Sequence, residues 1–89
     1  MAKISVIVPA YNAETTLRTA VESILSQQVP ELEIIIVNDG STDGTDRLCH
    51  ALASECPCIH VITQKNAGIC AARNRGMEAA SGEYITFCD

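Results

Sequence analysis

Four short runs of β-branched and aliphatic residues alternate with three helical stretches, and this alternation restricts the fold more than any other feature of the sequence. The runs are ISVIV (4–8), EIIIV (33–37), IHVIT (59–63) and EYITFC (83–88). Each run has the length of a strand, and near-continuous apolar character is typical of strands that are covered on both faces. Strands that alternate with helices predict a parallel sheet between two helical layers.

The stretches between the runs have the features of helices. In the first stretch, apolar residues recur at spacings of three and four, which is the apolar stripe of an amphipathic helix. That stripe consists of Leu17, Ala20, Val21, Ile24 and Leu25. We expect Asn12 to be the N-cap of this helix and Pro30 to follow its end. The second helix is predicted at 43–55, with Asp43 as its N-cap, and the third at 67–80.

The resulting order, βαβαβαβ, predicts a Rossmann-like, three-layer α/β fold. Because crossover connections are right-handed, few strand orders are possible, and we expect the order 3-2-1-4. In such sheets, ligands bind at the carboxyl ends of the strands, near the point where the winding reverses, here between strands one and four. Four loops are expected to reach this point, namely PAYNAE (9–14), NDGSTDG (38–44), QKNAG (64–68) and whatever follows Asp89.

Size and charge restrict the classes of partner. At 89 residues the chain forms one domain at most. Its net charge of −5, with only 6 Lys and Arg, opposes a general nucleic-acid or anionic-membrane surface. An anionic ligand would therefore need a metal ion or one well-placed arginine. No apolar stretch approaches the roughly 20 residues of a membrane span, so we expect the chain to be soluble by itself. The cysteines favour a cytoplasmic location.

The cysteines favour reduced thiols over a built site. They number five, lie in apolar segments and follow no secretory signal, which is typical of a cytosolic protein. A zinc site formed by Cys56, Cys58, His50 and His60 is the alternative. Because a C-x-C spacing is poor for zinc and no C-x-x-C pair is present, we set this alternative aside.

Asp39 is the first candidate site residue, because it stands alone where the second apolar run ends beside the switch point. A carboxylate there could accept hydrogen bonds from the ribose or base of a nucleotide. It could instead bind the amides of its own Gly-Ser-Thr turn. A calcium loop is rejected because His50 stands where an EF-hand has its glutamate. A dinucleotide site is rejected because PAYNAE replaces the G-x-G-x-x-G motif.

Three segments in order extend this interpretation over nearly the whole chain. They are SVIVPAYNAE (5–14), EIIIVNDGSTDGT (33–45) and QKNAGICAARNRGMEAASGEYITFCD (64–89). Together they resemble the N-terminal, nucleotide-sugar-binding half of a family 2 glycosyltransferase with the GT-A fold. The resemblance implies that residues 1–89 form a nucleotide-sugar-binding subdomain, truncated at the first Asp of a D-x-D element.

The resemblance also implies a nucleobase site. Pro9, Ala10 and Tyr11 would border the base, with Tyr11 against its ring. Glu14 would lie nearby on the first helix, and Asp39 would bind the uracil or ribose. Tyr11 could instead close the core, and Glu14 could simply complement the positive N-terminus of its helix.

The phosphates would lie beyond the base. By the same resemblance, Arg73 would reach toward the base and phosphates, while Lys65 and Gly68 would shape the loop before it. Asp89 would be a ligand of a divalent metal, Mg²⁺ or Mn²⁺, held against the diphosphate. Arg73 could instead form a surface ion pair with Glu78 or Asp43.

The function that the resemblance implies belongs to a longer protein. The parent enzyme would transfer a sugar from a nucleotide-sugar, expected to be UDP-linked, to a saccharide or lipid-linked acceptor, with inversion and with help from the metal. It would serve polysaccharide biosynthesis, peripheral at the inner face of the membrane. The catalytic base would lie downstream of residue 89. The alternative is a non-catalytic nucleotide-binding or structural α/β module.

Two further expectations concern the 89-residue chain itself. It should have no transferase turnover alone, because the acceptor-binding half is absent. Its fourth strand should be an open apolar edge, and such edges pair with other chains. We therefore expect the chain to self-associate.

Overall fold

All predicted strands and helices are present in the computed structural model, which describes residues 3–88. The elements are β1 (Ile4–Ala10), α1 (Leu17–Ser26), β2 (Leu32–Asp39), α2 (Thr45–Glu55), β3 (Ile59–Gln64), α3 (Ile69–Ala79) and β4 (Tyr84–Phe87). The sheet has the order β3-β2-β1-β4, and every neighbouring pair is parallel. The predicted α/β class and the strand order 3-2-1-4 are confirmed.

The helices cover both faces of the sheet, because alternate side chains of a strand point to opposite faces. Val6 and Val8 of β1 belong to a core with Leu17 of α1 and Leu52 of α2. On the opposite face, a smaller core lies against α3; it consists of Ile7, Ile35, Val37 and Ala72. The structure therefore has three layers, with α1 and α2 on one side and α3 on the other.

Strand β2 lies inside the sheet, and seven of its eight residues are buried. Its residues Ile34, Ile35, Ile36 and Val37 are each no more than 1 % exposed. A strand buried on both faces needs apolar residues at successive positions, which explains the uninterrupted run in the sequence.

Strand β1 continues two residues beyond the predicted end, through Pro9. The carbonyl of Ile7 accepts a hydrogen bond from the N–H of Cys88, so Ile7 directs its backbone polar groups toward β4. Pro9, two residues later, faces the same side, whereas the described pairs between β1 and β4 end at Phe87. Pro9 has no N–H to donate, but none of the described hydrogen bonds between β1 and β4 needs one at this position. The strand therefore tolerates the proline.

Both predicted N-caps are wrong. Helix α1 begins after Thr16 and α2 after Gly44, and neither position makes a side-chain capping bond. Asn12 lies four residues before Thr16 with a φ of 48°, a left-handed conformation that asparagine tolerates. Asp43 accepts a hydrogen bond from the N–H of Thr45 at 2.9 Å, one position before the cap. Asn12 instead bonds the loop after β2, and Asp43 bonds the first residue of α2 from one position before the N-cap.

A buried carboxylate that the sequence analysis did not single out, Glu33, lies at the amino end of β2. It accepts hydrogen bonds from Ser5 Oγ at 2.7 Å and from the N–H of Ser81 at 3.1 Å. Burial pushes the pKa of Glu33 upward, but these bonds and the charge of Lys3 outweigh it, and the pKa is lowered. Glu33 therefore stays ionised and holds the end of α3 against the sheet.

The five cysteines are free thiols. Within residues 3–88, no group of three or more His, Cys, Asp or Glu is arranged to hold a metal, and the set-aside zinc site is not formed. No helix in the same part of the chain is long and apolar enough to cross a membrane.

We predict that Gly76→Ala destabilises the protein although alanine is the better helix former. Gly76 is buried on α3, and an added Cβ would collide with Cγ2 of Ile7, which is itself fully buried. Overpacking costs about 1 to 3 kcal/mol, which exceeds the gain of up to about 1 kcal/mol in helix propensity. Urea unfolding should give a lower midpoint. The control, Glu78→Ala on the exposed side of α3, should change stability by less than about 0.5 kcal/mol, and equal or greater stability of Gly76→Ala would contradict the packing.

Candidate functional site

Three loops meet at the carboxyl edge of the sheet, as the sequence predicted. They follow β1 at residues 11–16, β2 at 40–44 and β3 at 65–68. Parallel strands place all three at one edge, and the strand order puts the winding reversal between β1 and β4.

The loops after β1 and β2 are joined by reciprocal hydrogen bonds. Asn12 Oδ1 accepts from the N–H of Thr42 at 2.8 Å, and Ser41 Oγ accepts from the N–H of Asn12 at 3.0 Å. Glu14 Oε2 accepts from the N–H of Gly44 at 3.2 Å. The predicted site residue Glu14 is thus engaged with a neighbouring loop.

A buried threonine completes this connection. Thr45 is fully buried, and its Oγ1 accepts a hydrogen bond from the N–H of Ala13 at 2.8 Å. The same hydroxyl donates to Asp43 Oδ1, and this bond is the main cause of a lowered pKa of Asp43. The side chains of Ser41 and Thr45 therefore satisfy backbone N–H groups of the loop after β1.

Asp39 is the most densely bonded side chain of the site. Its Oδ1 accepts from Gln64 Nε2 and from the N–H of Ala67, both at 2.9 Å, and its Oδ2 accepts from the N–H of Gly68 at 3.0 Å. Asn66 Nδ2 donates to the Asp39 carbonyl at 3.0 Å and approaches Oδ2 at 3.4 Å. All these donors belong to the end of β3 and the loop after it, so the alternative that Asp39 binds its own turn amides is wrong.

The electrostatics of Asp39 follow from these bonds. The residue is only 4 % exposed, yet its pKa is lowered, first by the hydrogen bond from Gln64 and then by the N–H groups of Ala67 and Gly68, against the effect of burial. Gly68 is the N-cap of α3, so the carboxylate also lies at the positive end of a helix.

The close approach of the loop after β3 requires a glycine at position 40. Gly40 has a φ of 68°, and a Cβ there would lie 2.5 Å from the backbone nitrogen of Asn66. Any other residue would be strained and would push the loop away from Asp39.

A small cleft opens beside Asp39, with a volume of about 100 Å³. It is lined by Pro9, Ala10, Tyr11, Asp39, Ile69 and Ala72. Tyr11 and Ile69 are 54 % and 52 % exposed. The alternative that Tyr11 closes the core is therefore wrong, and both side chains are available to a ligand.

The other predicted site residues lie around this cleft rather than in its lining. Arg73 lies one helical turn after Ile69, with its guanidinium carbon 5.6 Å from the ring centroid of Phe87, a cation–π distance that joins α3 to β4. Gly68 reaches the site through its N–H on Asp39, and Lys65 is exposed in the same loop. Asp89 lies outside the described residues.

Ile69 and Ala72 of the cleft lining, and Gln64, which binds Asp39, were not predicted from the sequence. Asp39 and Gln64 are register partners at the ends of β2 and β3. The predicted pairing of these strands could have indicated their contact. For Ile69, no signal separated a cleft residue from a core residue, because both are apolar positions of a helix.

A metal would find few ligands in the described part of the chain. No cluster of three or more His, Cys, Asp or Glu suited to a metal is formed by residues 3–88. Asp39 already accepts several N–H donors, which a cation would have to displace. The described residues alone do not fit a metal site.

The chain is similar to glycosyltransferases. The family model described as "Glycosyl transferase family 2" matches residues 5–89. Among curated proteins, the uncharacterized glycosyltransferase YibD of Escherichia coli (strain K12) is 47 % identical over 87 residues, which are 98 % of this chain and 25 % of YibD.

Solved structures have the same architecture. TarS 1-349 of S. aureus in complex with UDP matches with a TM-score of 0.88 and 33 % identity, over 98 % of this chain and 27 % of the TarS 1-349 chain. The mannosyltransferase PcManGT of Pyrobaculum calidifontis, in complex with GDP-Man and Mn²⁺, matches with a TM-score of 0.88 and 28 % identity, over 94 % of this chain and 26 % of PcManGT. The chain thus spans about a quarter of the length of YibD and of the chains in these two structures.

We predict that Asp39→Asn lowers the free energy of unfolding at neutral pH by about 2 to 4 kcal/mol, because the amide has no charge, keeps only one acceptor oxygen and places an NH₂ group against a buried donor. The stabilisation by Asp39 is fully present above 3.8, the ordinary pKa of its carboxyl group. It is lost as the pH falls through the lower pKa that this group has in the folded protein. The difference between wild type and variant, measured by urea unfolding, should therefore shrink in acid.

The matched control is Glu78→Gln, which neutralises an exposed carboxylate on α3. It should change the free energy of unfolding by less than about 0.5 kcal/mol. Equal effects of the two substitutions at neutral pH would contradict the role of Asp39 in holding the loop.

Proposed function

The chain belongs to glycosyl transferase family 2, and from this premise we propose that the cleft beside Asp39 binds the nucleoside end of a nucleotide-sugar donor. The observation that carries the proposal is the cleft itself, which combines an exposed aromatic ring, an apolar wall and one ionised acceptor at the switch point of the sheet.

The size of the cleft suits one part of the donor. Its volume of about 100 Å³ is well below the roughly 300 to 1,000 Å³ of pockets that enclose a whole small molecule. A flat nucleobase could lie between Tyr11 and Ile69 with its edge toward Asp39. The ribose, diphosphate and sugar would then extend outside the cleft.

Asp39 can support the site in two ways. A carboxylate has about four acceptor positions, and the protein fills three of them at 3.0 Å or less, while Asn66 approaches the fourth at 3.4 Å. We propose that this weakly used position on Oδ2 accepts a hydrogen bond from the uracil or ribose. The other bonds keep Gly68 and the start of α3 beside the ligand.

The phosphates need positive charge, because the chain carries a net charge of −5. We propose that Arg73 and Lys65 supply it, and that Glu14 acts indirectly by holding the two loops together. The divalent metal proposed for the longer enzyme, Mg²⁺ or Mn²⁺, would depend on Asp89 and on the phosphate oxygens of the donor. When bound, such a cation would stabilise the leaving nucleoside diphosphate; Mn²⁺ in the PcManGT complex supports this proposal.

The longer enzyme is proposed to transfer a sugar, with inversion, to a saccharide or lipid-linked acceptor. The glycosyltransferase names of the relatives support this function over a non-catalytic module. UDP in the TarS complex supports a UDP-linked donor, whereas PcManGT is shown with GDP-Man. That the base is uracil is therefore a more specific proposal than that the donor is a nucleotide-sugar. We propose a cytoplasmic location, with the longer enzyme peripheral at the inner face of the membrane, and no turnover by residues 1–89 alone.

The nucleobase site predicts that Tyr11→Ala weakens UDP binding by about tenfold, because stacking of a base on an aromatic ring contributes roughly 1 to 3 kcal/mol. Tyr11→Phe, which keeps the ring, should bind nearly as well as wild type. Calorimetric titration with UDP in Mn²⁺ would measure both, and removal of Mn²⁺ with a chelator should weaken binding further.

Tyr84→Ala is the control for this titration. Tyr84 is 63 % exposed but begins β4, at the amino edge of the sheet, away from the cleft. Its substitution should leave UDP affinity unchanged. Equal losses for Tyr11→Ala and Tyr84→Ala, or no UDP binding by wild type, would refute the proposed site.

We also propose that the 89-residue chain self-associates through β4. The N–H groups of Tyr84 and Cys88 donate to the carbonyls of Lys3 and Ile7, so the alternate residues of β4 direct their backbone groups outward. These residues are Ile85 and Phe87, and each is 41 % exposed. Sedimentation should give a mass that increases with concentration. Ile85→Lys should abolish this increase, because a charge on an edge strand opposes pairing.

The control adds the same charge elsewhere, as Thr19→Lys on the exposed side of α1. It should associate like wild type. A wild-type chain that remains a monomer at high concentration would refute the edge interaction.

A further inference from the structure

Two cysteines face each other in the turn between α2 and β3, at the sheet edge opposite the cleft. The Sγ atoms of Cys56 and Cys58 lie 3.0 Å apart, and both residues are half-buried against the core of α1 and α2. A disulfide bond has an S–S length of about 2.0 Å, so an approach of roughly 1 Å would join them.

The backbone holds this pair in place. The N–H of Cys56 donates to Leu52 at 3.2 Å as the C-cap of α2, and the carbonyl of Cys58 accepts from the N–H of Ile34 at 2.9 Å. The N–H of Ile59 donates to the carbonyl of Cys56 at 3.1 Å and closes a turn over residues 56–59. Pro57, at the second position of this turn, has a fixed φ. The backbone of the turn therefore loses little conformational entropy when the two sulfurs form a bond.

From this geometry we propose that Cys56 and Cys58 form a dithiol site that reacts with small-molecule disulfides and closes reversibly to an intramolecular disulfide. The site is independent of the proposed nucleotide binding. It lies at the amino end of β3, whereas the cleft lies at the carboxyl ends of β1 and β2.

With oxidised glutathione as the oxidant, the reaction proceeds in two exchanges. The Cys56 thiolate attacks one sulfur of glutathione disulfide, forms a mixed disulfide and releases one glutathione thiolate. The Cys58 thiolate then attacks the Cys56 sulfur and releases the second glutathione. The protein loses two electrons and two protons, and one glutathione disulfide becomes two glutathione thiols.

The order of the two steps follows from the surroundings of each sulfur. The pKa of Cys58 is raised to about 11, first by burial and then by the hydrogen bond and charge of Cys56. Cys58 is therefore the poorer attacking group at neutral pH, and we assign the first attack to Cys56. Its charge disappears when the mixed disulfide forms, which removes part of the cause that suppresses the Cys58 thiolate.

Two other cysteines provide internal comparisons. Cys49 is fully buried and its pKa is raised to about 11, so it should not react. Cys70 is exposed on α3, and no second sulfur contacts it among the described residues, so it should stop at the mixed disulfide.

The test treats the folded chain with oxidised glutathione and maps its cysteines by mass spectrometry without reduction. Trypsin should give a peptide of residues 48–65, which contains Cys49, Cys56 and Cys58. We expect this peptide to lose two hydrogens and carry no glutathione, while fragments that end at Glu55 keep the mass of an unmodified Cys49. Dithiothreitol should restore both thiols.

Two substitutions separate the steps. Cys58→Ser should trap one glutathione on Cys56, and Cys56→Ser should leave Cys58 largely unmodified. Circular dichroism verifies that each variant is folded. If a variant is not folded, the cysteine assignment by mass spectrometry in the wild-type chain decides whether the disulfide forms. Two outcomes in the wild-type chain, each with glutathione on Cys70, would overturn the proposal. They are free thiols at Cys56 and Cys58, and a separate glutathione on each of these two residues.

Discussion

The buried, ionised carboxylate of Asp39 is the interaction on which the site depends. It ends β2 and accepts hydrogen bonds from the end of β3, from the loop after it and from the N-cap of α3. A buried charge is stable only when it is well paired with donors, so this carboxylate fixes the position of every group that satisfies it. The cleft exists because α3 is held at this distance from β1 and β2.

The opposite end of α3 is fixed by the same kind of contact. Glu33 and Asp39 are six residues apart on β2, so their side chains lie on the same face as Ile35 and Val37, the face that packs against α3. Glu33 binds the N–H of Ser81, just after α3, and Asp39 binds that of Gly68, just before it. One strand thus places an apolar centre and two anionic ends against one helix. Burial stabilises this contact and the two carboxylates set its register.

The loops at the carboxyl edge use their polar residues in a similar way. The side chains of Asn12, Glu14 and Thr45 accept hydrogen bonds from backbone groups of neighbouring loops. This arrangement leaves Tyr11 exposed over a preformed apolar wall, which lowers the entropy cost of binding a flat ring. In a chain with a net charge of −5, the proposed preference for a nucleotide rests on position: an aromatic ring and one acceptor are proposed to meet the base, and cationic side chains the phosphates.

The sequence alone determined the fold class, the element order and the strand order, because the period of burial along each segment is a local property and right-handed crossovers leave few topologies. It also indicated the edge where the cleft lies and four of its lining residues. It gave the wrong N-caps for α1 and α2, and it did not indicate the anchoring of Glu33 or the presence of Ile69 in the cleft. Polar side chains such as Asn12 and Asp39 form the hydrogen bonds of lowest free energy with the groups that the fold brings near them. Most of those groups are distant in sequence. Only the packed tertiary structure decides which donors are near, and it therefore decided which residues bind each other and which remain available to a ligand.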